Sequence, residues 1–61
     1  MKMSEAEMYA RMSSAYYFLL NMSDMSRTGY LAKRLGEAMS ALAEDYKDRT
    51  DGNLAKEAEN L

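Results

Sequence analysis

The chain has 61 residues, a formal net charge of −2, 48% hydrophobic residues, and neither cysteine nor histidine. A single marginal domain is the ceiling at this length, because so short a chain buries only about 60% of its unfolded surface. Disulfides, thiolate metal sites and histidine-based acid–base chemistry are excluded, which leaves oligomerisation or docking on a partner to complete the fold.

A sequence pI near 4.9 argues against nucleic acid as the partner, since such binders carry a basic footprint. Lys2 is followed by Ser4, Glu5 and Glu7 rather than by an apolar stretch, so no signal peptide is expected. The longest apolar run, Ala15 to Leu20, is six residues, far short of the roughly 20 that span a membrane. Cytoplasmic residence, away from membranes, is the expectation.

Proline, valine and isoleucine are absent and there are two threonines. Alanine, leucine, methionine, glutamate and lysine dominate, all strong helix formers. An all-α single domain over 1–61 follows, with helices over about 4–22, 27–48 and 53–61. Ser4 and Glu7 stand at capping-box spacing, with Met3 and Met8 placed for a hydrophobic staple. Met8, Met12, Ala15, Leu19 and Met22 then recur at steps of four and three, one stripe that predicts the buried face.

Ser23 to Gly29 reads as the connector, with the second helix beginning at Asp24, Ser26 or Thr28 and its end capped by Ser26 or Thr28. Leu31, Leu35, Ala38, Met39, Leu42 and Tyr46 share one face of that helix. A strip of small residues, Ala32, Gly36, Ser40 and Ala43, runs beside it. Glycine costs a helix about 1 kcal/mol against alanine, so Gly36 implies the close approach of another backbone. Thr50-Asp51-Gly52-Asn53 is a break carrying an Asp-Gly turn signal. Leu54, Ala58 and Leu61 could line a last short helix, which holds only if docked. Two long helices with a short connector predict an antiparallel hairpin, completed by homodimerisation into a four-helix bundle or by docking on a partner.

The first helix carries more apolar surface than one neighbour can cover. Beyond its stripe, Tyr9, Tyr16 and Leu20 widen the apolar face, Ala6, Ala10 and Tyr17 carry it further, and Phe18 lies in the polar sector. Aromatic residues and methionine are enriched in interface cores. Tyr9, Tyr16, Tyr17, Phe18 and Leu20 are therefore candidates for partner contact, with core packing the plainer explanation for Tyr16. Arg27, Lys33 and Arg34 gather with Tyr30 near the start of the second helix, where cations oppose the helix dipole. They are candidates for holding an acidic partner or a phosphate, although pairing of Lys33 and Arg34 with Glu37 explains them more simply.

Asp45, Asp48, Asp51 and Gly52 imitate a calcium loop. With Gly52 at the glycine position, Lys47, Arg49 and Ala58 fall where oxygen ligands are required. No metal and no cofactor is expected. Without a nucleophile–base pair or a phosphate loop, the chain is not expected to be an enzyme.

The size and two-helix plan resemble the Rop-like hairpin dimers, some of which bind RNA, at the level of fold alone. The leading expectation is a non-catalytic protein-binding module of the inhibitor or adaptor kind, of the type phages encode, acting through the aromatic face of its first helix. The alternatives are a Rop-like homodimer that binds RNA or DNA, and a structural subunit or small chaperone.

Overall fold

The computed structural model describes residues 2–22 and 25–61, without the side chains of residues 25–28. The ordered elements are all helical: α1 (Glu5–Asn21), α2 (Met25–Thr50) and α3 (Leu54–Glu59). Among the described residues no helix is long and apolar enough to cross a membrane.

The expected start of α1 is realised. Ser4 adopts an extended backbone and its hydroxyl accepts from the Glu7 N–H at 3.1 Å, while the Glu7 carboxylate accepts from the Ser4 N–H at 3.1 Å. Two of the N–H groups a helix start leaves without partners are thereby satisfied. The Glu7 carboxyl is held below its ordinary range, first by the bond from the Ser4 backbone and then by the one from its hydroxyl.

α2 begins at Met25 and runs to Thr50, longer at both ends than expected. Its 26 residues span about 39 Å at 1.5 Å per residue, the full 38 Å length of the molecule. The expected capping by Ser26 or Thr28 lies outside the described side chains. At the other end Asp51 takes a left-handed φ of 63°, and its N–H reaches the Lys47 carbonyl at 2.7 Å. The turn therefore bends at Asp51 rather than at the glycine beside it. Gly52 serves close approach instead. A Cβ there would lie 2.7 Å from Glu57 Oε2 and 2.9 Å from Tyr46 Cε2.

α3 starts at Asn53, whose side-chain oxygen accepts from the Lys56 N–H at 3.1 Å. Six residues cannot stay helical alone in water. Docking holds them, and Leu54 is 1% exposed, buried as completely as Ala32 and more so than Met39.

The two long helices are antiparallel. Arg49 of α2 meets Glu5 near the start of α1, and the Tyr16 ring lies against Gly36. The occupant of the small-residue strip is thus an aromatic ring rather than another backbone. α3 folds back along one side of the hairpin, with Asn53 and Leu54 beside Ala43, Glu44 and Lys47, and Ala58 and Glu59 beside Tyr9, Ala10, Ser13 and Tyr17.

That second neighbour turns α1 away from the face its stripe predicted. The half-buried residues of α1 include Tyr9, Ser13 and Tyr16 together with Met12 and Leu19 of the predicted stripe, whereas the stripe's Met8, Ala15 and Met22 are exposed. On α2 the packed face is Ala32, Leu35, Gly36, Met39, Leu42, Ala43 and Tyr46, leaving Leu31 and Ala38 outside it. The reason is area: a tyrosine buries roughly 150–250 Å², far more than the alanine at the centre of the predicted stripe. A face turned towards both α2 and α3 gains the two tyrosines.

Candidate interaction surface

α1 packs against both α2 and α3, yet not one of its residues is fully buried. Tyr17, Phe18 and Leu20 stand 60%, 66% and 50% exposed. At roughly 100° per residue these three cannot share one patch. Tyr17 points to the α3 side, where it closes a shallow depression with Tyr9, Ser13, Ala58 and Glu59. Its ring meets that of Tyr16 edge to face, with centroids 5.4 Å apart. Such a pair holds both rings in place beyond the effect of area alone. Phe18 lies on the opposite flank, next to Arg11 and Met22 on the helical wheel.

Tyr16 and Tyr17 mark the point where α3 gives out. Beside Tyr16 a shallow depression runs along α2 on both sides of Gly36, lined by Lys33, Glu37, Ser40, Ala41 and Glu44, the last of which also lies next to Leu54 of α3. Leu20, one turn beyond Tyr16, falls on the same side of α1. The depression therefore offers an aromatic wall, a glycine floor and a rim of both charges.

Other residues singled out by their sequence positions fall elsewhere. Tyr9 and Tyr16 are half-buried between helices. Tyr30 is exposed, and its hydroxyl accepts from Arg34 Nη1 at 2.9 Å with the guanidinium 5.7 Å from the ring centroid. Among the described residues no ion pair joins Lys33 or Arg34 to Glu37. Lys33 lines the open depression, so the two cations do not converge on one point. The side chain of Arg27 lies outside the described residues.

Asp45 accepts from Arg49 Nε at 2.8 Å, and Asp51 lies 3.6 Å from Lys47. Arg49 also holds Glu5, and these bonds, the Glu5 one first, raise its pKa further. Asp45 and Asp51 thus carry cation partners of their own, while Asp48 is exposed to solvent. Among the described residues no three acidic side chains gather as a metal site.

The exposure of Met8, Ala15, Met22, Leu31 and Ala38 was missed by sequence reasoning. The signal that could have found it was the third helix. Leu54 and Ala58 had to dock somewhere, and whichever side they took would bare the other. The chain matches no family model, no curated protein and no solved structure.

Proposed function

We propose that this protein is a non-catalytic module that binds another protein through the aromatic end of α1, as an inhibitor or adaptor would. The observation that carries this reading is the exposure of Tyr17 and Leu20 on a helix already packed on two sides. The open depression beside Tyr16 and Gly36 would let a partner helix lie along α2, a common mode of peptide recognition. Its rim residues Lys33, Glu37 and Glu44 would fix direction and partner choice more than affinity. The basic residues do not favour the nucleic-acid alternative. Arg34 is engaged with Tyr30, Arg49 with Glu5 and Asp45, and Lys47 with Asp51. Arg11, Lys33 and Lys56 sit on three different helices or flanks.

The test compares the tagged native chain with a Tyr17→Ala, Leu20→Ala double variant whose helicity is first confirmed by circular dichroism. Co-purifying proteins are quantified by mass spectrometry, and direct binding of the main candidate is then measured with purified components. Interface aromatics near the centre of a contact cost 2 kcal/mol or more on truncation, so affinity should fall at least about 30-fold. A partner retained equally by the folded double variant would refute the assignment to this surface.

A further inference from the structure

α3 covers one side of the hairpin, and the other side is bare. Met8 and Ala15 of α1, its C-cap Met22, and Leu31 and Ala38 of α2 are exposed on that bare side, with half-buried Met12, Leu19, Leu35 and Leu42 along its inner edge. Met8, Met22 and Leu31 are 38%, 42% and 48% exposed. The antiparallel register set by Glu5–Arg49 and Tyr16–Gly36 places Ala15 level with Ala38. The face is therefore apolar along about 21 Å, from Met8 to Met22, and narrow-waisted. Steps of seven (Met8, Ala15, Met22; Leu31, Ala38) keep its residues in line along the helices, as in helical bundles.

We infer that this bare face binds a second copy of the chain. Two observations select that occupant. The first is area. A folded monomer of 6.9 kDa exposes about 4000 Å² by the surface–mass relation. This chain exposes 4847 Å², an excess of roughly 850 Å² over that scaling value, which the bare face shares with exposed Tyr17, Phe18, Leu20, Tyr30 and Leu61. A standard interface covers about 800 Å² on each partner.

The second is self-complementarity at both edges. Along α2, Arg34 and Asp45, which within one copy already bond Tyr30 and Arg49, flank the bare face on its outer edge, equally far above and below the level of Met39 and Ser40. Along α1, Arg11 and Phe18 flank it likewise, about the level of Ser14 and Ala15. In the hairpin register these two levels coincide. One two-fold axis at that height, perpendicular to the helices, brings Arg34 of each copy to Asp45 of the other. The same axis brings each Arg11 to the other copy's Phe18, a cation on an aromatic face. The alanines meet at the waist, where small side chains let helices approach closely. The four long helices then form an antiparallel bundle with α3 of each copy on its outside, so the surface bearing Tyr17 and Leu20 stays free for a partner.

Sedimentation equilibrium of the full chain at micromolar concentrations tests this. The native chain should sediment at twice the mass of one chain, and Ala15→Glu with Ala38→Glu should be a helical monomer. Arg34→Asp or Asp45→Arg alone should weaken dimerisation at least about threefold, and the two together should recover it. Tyr17→Ala should leave the dimer intact, which separates this inference from the partner-binding reading. A native monomer, or a dimer indifferent to both glutamates, overturns the assignment. Should the glutamate variant fail to fold, the melting temperature of the native chain decides. It must rise with concentration if folding and pairing are linked, and a constant value overturns the inference.

Discussion

The two ends of the hairpin are built differently. Around the start of α1 and the end of α2, three helices meet and polar bonds tie them together. Glu5 binds Arg49, and the Tyr46 hydroxyl donates to Glu57 at 2.6 Å, a bond that raises the tyrosine's pKa. Towards the connector only two helices remain. There the Arg34–Tyr30 bond stays within one turn of α2, and Tyr17, Leu20, Met22, Tyr30 and Leu31 are exposed. The difference teaches where the chain has completed its own fold and where its apolar surface stays exposed. Exposed ion pairs contribute little stability, so the bonds at the closed end serve register more than strength. The strength there comes from α3 and its one large buried side chain.

Removing that side chain gives the largest effect. Leu54→Ala should cost about 2–5 kcal/mol, the range for a buried leucine, in a domain whose core supplies only about 3–5 kcal/mol. The closed end should open, with α3 undocked and the midpoint of thermal unfolding sharply lowered. Circular dichroism melting checks this. A variant that melts like the native chain would mean that the closed end does not depend on α3. Leu20→Ala, at the open end, should by contrast barely move the melt.

The closed end was also the more legible from sequence. The Ser4–Glu7 box, the break at residues 50–53 and the dependence of the last helix on docking can all be read from local chemistry. Each is decided by neighbours within four residues, where capping and turn preferences act. The face of α1 was not legible in the same way. Its apolar residues extend over more than half of the helical wheel, and a choice between the Met8–Ala15–Met22 line and the Tyr9–Tyr16 line depends on where α3 lands. No spacing within α1 contains that information. Gly36 was legible as a point of close approach but not in what approaches, because ring and backbone leave the same signature in one strand of sequence.

The capping box gives a second and smaller test of the closed end. Ser4→Ala should cost about 1 kcal/mol. The Glu7 carboxyl is depressed in the folded chain below its ordinary value of 4.5. A depressed acid contributes stability that is present above its unfolded pKa and lost as pH falls through the folded value. The gap in melting temperature between native chain and Ser4→Ala should therefore be widest near neutrality and narrow below pH 4.5. A gap that stays constant down to strongly acid pH would show that Glu7 does not take part in the cap.

The smallest effect belongs to the boundary between the two ends, at Gly36. An added Cβ would lie 3.2 Å from Tyr16 Cε1, tighter than ordinary contact, while the next ring atoms stand at 3.8 and 3.9 Å. Alanine gains about 1 kcal/mol of helix propensity over glycine, and the cost is whatever displacement the ring must accept. Tyr16 is half-buried and borders the open depression, so it has room to move a few tenths of an ångström. Gly36→Ala should therefore raise stability, by roughly 0.5 kcal/mol once the ring has shifted. The same shift tilts Tyr16 against Tyr17, its edge-to-face neighbour, and so disturbs the proposed partner surface while strengthening the fold. Melting temperature and partner affinity should then move in opposite directions. If both fall, the ring is fixed and Gly36 serves packing. If stability rises and affinity holds, the Tyr16–Tyr17 pair lies outside the contact.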